Sequence, residues 1–262
     1  MAKHLKIFGD STVGGGDFDK IRVYGSGAIL SDVCADSIKI YGDATFKGQV
    51  KANVIKVMGS ATFNGRVLGG DVHLYGDASF REGTKIGLLK VRGAAHLEKE
   101  CFIETIHNAG ECQVQDQLCC QQLTTYGTLN GKGHIKTNTL LSYGEIATKG
   151  ELEGEVLMIK GAIQNANLIN GEEVKIELKS DCLVEAIGAT KLTVKQGKRH
   201  NTNRYLKAKQ IEGDVIEVEY TTADKICGQV ITIGKHCVID SVEYSKNISV
   251  DSSAKIKEQL RS

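Results

Sequence analysis

Nine glycines recur at a spacing of seventeen residues: Gly25, Gly42, Gly59, Gly76, Gly93, Gly110, Gly127, Gly144 and Gly161, with Gly9 sixteen residues ahead of the first. A period this strict requires one structural unit stacked on itself, since only neighbouring copies of a unit impose the same constraint at every turn. It directs attention to surfaces and assembly rather than to a single catalytic cleft.

Hydrophobic residues fall into columns relative to that glycine. Four positions before it stand Ile21, Ile38, Ile55, Val72, Leu89 and Ile106; two before stand Val23, Ile40, Val57, Leu74 and Val91, after which the column turns to Asn108, Thr125 and Ser142. Two after come Ala44, Ala61, Ala78 and Ala95, and four after come Phe46, Phe63, Phe80 and Leu97. A third pair, eight and ten after, holds Val33, Val50 and Val67 with Ile86 and Ile103. Within each pair the spacing is two, the alternation of a β-strand with one buried face. Three short strands per seventeen residues, separated by corners rich in Gly, Asp, Asn and Lys, predict an all-β fold: a parallel β-solenoid, or β-helix, of triangular section with about 17 residues per coil. A helical reading fails because apolar residues do not recur at three and four, and 30 glycines are poor helix material.

The absence of proline suits strands that must donate their N–H groups to a ladder on both sides. The net charge of +1 predicts no bulk affinity for nucleic acid. No apolar run reaches the length of a membrane span, and the first residues lack the apolar core of a signal peptide, so a cytoplasmic protein is expected. In that compartment the eight cysteines are thiols. Cys101, Cys112, Cys120 and Cys182 fall on inward columns, where a free cysteine acts as a small hydrophobe. The alternative, a metal site built from His107, Cys112, Cys119 and Cys120, lacks CxxC spacing, so no metal or other cofactor is expected.

Two breaks organise the chain. The register runs through Val174, Ile176 and Leu178 and slips by one at Leu192 and Val194. It is followed by a basic stretch free of acids. The expected organisation is a main β-helix over 1–194, a basic loop or hinge over 195–210, and a shorter, less regular β-helix over 211–262. Lys198, Arg199, His200, Arg204, Lys207 and Lys209 are the candidates for contact with a polyanion or a membrane surface. A solenoid also ends in open strands and an uncovered core. Leu5, Ile7 and Phe8 in the first coil, and Ile248, Val250 and Ile256 in the last, are therefore the candidate polymer interface.

Catalytic signatures are missing. Gly14, Gly15 and Gly16 are not followed by the Lys-Ser/Thr of a phosphate loop, and the seven histidines sit in no HExxH or triad pattern. The expectation is that the chain is not an enzyme.

The stretch IYGDATFKGQVKANVIKVMGSATFNG, residues 40 to 65, resembles the bactofilins, polymer-forming cytoskeletal proteins of bacteria. The shared unit is apolar-x-apolar-x-Gly-x-Ala-x-apolar-x-Gly; it covers most of 5–178 and returns weakly after 211. The resemblance implies a right-handed β-helix that assembles end to end into nonpolar filaments without nucleotide, as a scaffold for cell shape, polarity or motility. It implies a chain whose partner is itself or a paralogue; weak membrane-surface association is expected of the basic stretch alone, and the net charge predicts no nucleic-acid partner. Two other classes fit a short-coil solenoid. A hexapeptide-type acyltransferase would need eighteen residues per coil and a catalytic histidine, for which only His200 is available, whereas the column spacings here are six, six and five. A monomeric β-solenoid binding module would not assemble at high concentration.

Overall fold

The computed structural model describes residues 3–197 and 204–261. These residues form twenty-five β-strands and no helix. Strands pair in parallel with the strand one coil further along, as in Val33↔Val50 and Val50↔Val67, so the chain is a parallel β-solenoid with about 17 residues per turn. It divides into two compact units, Met1–Gly133 and His134–Ser262.

In the first unit strands of eight and four residues alternate: Val33–Ile40 then Asp43–Phe46, Val50–Val57 then Ser60–Phe63. Along Val33–Ile40 the buried residues are Val33, Ala35, Ile38 and Ile40, so the alternation skips at Asp36 and Ser37. The skip is a corner. One eight-residue strand lines two flats of the coil and the four-residue strand lines the third, which accounts for the three column pairs in the sequence.

Strict register turns the columns into ladders: Ile38 lies beside Ile55 and Ile40 beside Val57. The buried rings of Phe46, Phe63 and Phe80 stack with centroids 5.1 Å apart at each step. The glycine clock has a steric origin. The positive-φ glycines are Gly9 and Gly16, not the clock members. At the clock positions the corner backbone of one coil lies directly on the next, and a Cβ on Gly59 would overlap the carbonyl oxygen of Gly42. Where the inward column turns polar, the interior satisfies Asn108 and Thr125, while the buried Ser142 hydroxyl has no partner among the described residues. Asn108 Nδ2 donates to Thr125 Oγ1 at 3.1 Å and to the Thr128 carbonyl at 2.9 Å, while its Oδ1 accepts from the Gly110 N–H at 3.2 Å. An unpaired buried amide would otherwise cost about 1–3 kcal/mol.

In the second unit the strands lengthen to Ala162–Leu178, Cys182–Gln196, Leu206–Val218, Thr221–Ile233 and Val238–Val250, with Lys255–Arg261 after them. The step between coils is 17 residues at Leu157↔Val174, 18 at Val174↔Leu192, 24 at Leu192↔Ile216 and 15 at Ile216↔Ile231. The step of 18 is the one-residue slip visible in the sequence.

The segment expected as a loop over 195–210 is strand at both ends. Lys195 and Gln196 close one strand, and 206–210 open the next, in register with the preceding coil through Val184↔Ala208 and Ile187↔Ile211. Leu206 and Ala208 are buried while Lys207 and Lys209 point outward, so the lysines are the solvent face of an ordinary alternating strand. Residues 206–261 accordingly continue the ladder of 182–196. The division into compact units falls at Gly133 and His134, within the regular repeat, and not at this insertion.

Candidate interaction surfaces

The candidate polymer residues are placed unequally. Ile7 is buried, and Leu5 half-buried beside Ile21. Phe8 is 66% exposed and faces outward, its ring stacked on Tyr24. In the last coils the inward column surfaces. Ile231 and Ile233 are 1% exposed, whereas their ladder neighbours are half-buried Ile248 and exposed Val250. Ile239 is likewise buried and its neighbour Ile256 half-buried. Leu260 adds another exposed apolar side chain there.

Of the basic candidates, Lys198, Arg199 and His200 lie outside the described residues. Arg204 faces Asp181 at 3.9 Å, and Lys209 pairs with Glu185 at 2.5 Å. Lys207 is exposed. Two of the three described cations are thus held by carboxylates of the same chain.

The inward cysteines are buried thiols, as expected, and Cys237 joins them. Burial pushes Cys112 up to about 12, and Cys101, Cys182 and Cys237 up to about 11, so none is a thiolate at neutral pH. Among the described residues, no group of three or more His, Cys, Asp or Glu side chains is placed to hold a metal ion.

The surface that the inward columns did not reveal lies on outward ones. Three positions before each glycine stand Lys6, Arg22, Lys39, Lys56, His73, Lys90 and His107, paired rung to rung. One position before the glycine stand Phe8, Tyr24, Tyr41, Met58, Tyr75 and Arg92. Both rows point out of the same flat, because the residues between and beside them, such as Ile38 and Ile40, point in. The first three rings stack at 4.9 and 5.0 Å, within 5° of parallel, and Arg92 lies over Tyr75 at 5.2 Å.

Among the described residues none of Lys6, Arg22, Lys39, Lys56 and Lys90 has a carboxylate within 4.0 Å. The second unit behaves differently: Lys136–Glu153, Lys175–Glu173, Lys195–Glu217 and Lys225–Glu243 are ion pairs. Partial burial holds His73 below its ordinary 6.5, and Lys56 and Lys90 push the same way with a smaller contribution from Arg92, against the pull of Asp71. The signal was in the seventeen-residue period, read on the outward positions.

The fold defines the chain as a parallel β-solenoid. No protein-family model matches it. A segment of 92 residues is 34% identical to YhbF of Bacillus subtilis (strain 168), described as an uncharacterized protein, covering 34% of this chain and 39% of that one. A segment of 52 residues is 44% identical to YhbE of the same organism, described likewise, covering 20% of this chain and 22% of that one. The chain thus spans well under half the length of these curated relatives. No solved structure matches. Among the described residues no helix is long and apolar enough to cross a membrane.

Proposed function

We propose that the chain is a non-enzymatic scaffold of the bactofilin type, which polymerises with itself without nucleotide and supports cell shape, polarity or motility from the cytoplasm. The observation that carries this reading is the surfacing of the interior column at Ile248, Val250 and Ile256, beside a strand, Lys255–Arg261, whose outer edge is unpaired among the described residues. An open parallel edge over uncovered apolar side chains accepts another strand, which adds ladder hydrogen bonds and apolar burial together. Bactofilin resemblance through the seventeen-residue repeat supplies the biological role.

The test is sedimentation and electron microscopy of the purified chain without nucleotide, beside Val250→Arg. Val250 is exposed within one chain, so the substitution leaves the coils folded and places an unpaired cation in the junction, at a cost of several kcal/mol. Wild type is expected to pellet as filaments and the variant to remain soluble with an unchanged melt. Wild type that stays monomeric, or a variant that pellets equally, would refute the reading.

A further inference from the structure

The row from Lys6 to Lys90 is an arrangement that folding alone does not favour. Adjacent parallel strands bring its members to the inter-strand spacing of about 4.8 Å, and like charges directly opposite one another destabilise a sheet. No carboxylate among the described residues lies within 4.0 Å of Lys6, Arg22, Lys39, Lys56 or Lys90, while elsewhere on this chain outward lysines face glutamates across the same kind of ladder. A basic row without close ion pairs, kept in register over six coils, suits an external polyanion.

The rest of the flat narrows its class. The cations stand single file along the coil axis, so the matching charge is linear rather than spread over a plane. Most are lysines, compact point charges that read charge and not planar geometry. The neighbouring rings are stacked on each other, Phe8 on Tyr24 and Tyr24 on Tyr41, so the stack covers ring faces while all three side chains remain exposed. Single-stranded nucleic acid depends on open ring faces for its bases, and the stack encloses both faces of Tyr24 and one face each of Phe8 and Tyr41. What remains on offer is positive charge and phenolic hydroxyl, which match a chain made of charge and oxygen acceptors alone. We propose that this flat binds inorganic polyphosphate, extended along the axis over Lys6, Arg22, Lys39, Lys56, His73 and Lys90 with the tyrosine hydroxyls alongside.

The site lies within one chain and does not depend on polymerisation, so the measurement is made on full-length Val250→Arg as well as on wild type. Medium-length sodium polyphosphate is titrated by calorimetry at several salt concentrations, beside Lys39→Ala/Lys56→Ala/Lys90→Ala. A second triple variant, Lys47→Ala/Lys51→Ala/Lys85→Ala, removes the same charge from exposed positions on other flats. The expected result is binding that weakens linearly in log salt and a loss of roughly a hundredfold for the first variant, at somewhat under tenfold per cation. The control variant should bind nearly as wild type does and melt as it does, and the first variant, relieved of the row's repulsion, should melt no lower than wild type. Ring signals of His73 should shift on addition of polyphosphate. No binding, or equal losses from the two variants, would overturn the proposal. So would tighter binding of single-stranded DNA or of phosphatidylserine vesicles at equal charge, each of which would assign the face to that partner instead.

Discussion

Phe63 and Thr62 are neighbours in one four-residue strand with opposite fates, one fully buried between Phe46 and Phe80, the other facing outward. Truncating Phe63 removes buried surface and leaves a cavity that a ladder held by strands on both sides cannot close. Phe63→Ala should therefore cost about 3–5 kcal/mol, and Thr62→Ala well under 1 kcal/mol. Thermal melts of the two variants check this, and equal losses would contradict the inward assignment of the column. The same contrast governs thiol chemistry. Exposed Cys34 should react with a thiol reagent in the native protein, while Cys101, Cys112, Cys182 and Cys237, held protonated by burial, should react only after unfolding. His73 reports on the outward row. Its imidazole should titrate below 6.5, and Lys56→Ala, which removes the larger of the two lysine repulsions, should move it back toward that value in an NMR titration.

At the level of the coil, the decisive element is the corner. Gly59 carries no special dihedral requirement, yet a methyl group there would overlap the Gly42 carbonyl oxygen, which is backbone and accepts the Ser60 N–H at 3.0 Å. Neither partner can retreat without opening the ladder. Gly59→Ala should cost more than the roughly 1–3 kcal/mol of ordinary overpacking, with amide exchange accelerated first in Asp43–Phe46 and Ser60–Phe63. Most of this element was legible in the sequence, because a buried column tolerates few residue types and its period survives in plain view. What escaped had physical causes. Six cations between Lys195 and Lys209 obscured the alternation of buried Leu206 and Ala208, since long lysine side chains cover the outer face of a strand without changing its inner one. Phe8 is grouped by its apolar character with Leu5 and Ile7 at the candidate polymer interface, although it stands just before Gly9, where Tyr24 and Tyr41 stand before theirs, and that position points outward. The surface rows escaped because net charge sums over all faces of a coil, whereas a ligand meets only one.

For the molecule as a whole, a net charge of +1 therefore conceals two regimes. The outward cations of the first unit's flat repel along their row, while second-unit lysines such as Lys136, Lys175, Lys195 and Lys225 are paired with glutamates. Salt acts on both, with opposite sign. Screening shortens from about 10 Å at 0.1 M to about 3 Å at 1 M, less than the spacing between rungs of the row, so added salt relieves the repulsion in the first unit. In the second unit it weakens surface pairs, which contribute little individually. Raising sodium chloride across that range should thus slow amide exchange in Val33–Ile40, Val50–Val57 and Thr84–Val91 relative to Cys182–Gln196 and Thr221–Ile233. Lys39→Ala/Lys56→Ala/Lys90→Ala should abolish that difference by removing the repulsion at its source. Exchange measured by mass spectrometry on the full chain decides the matter, and a uniform response of both units to salt would show that the row carries no electrostatic strain.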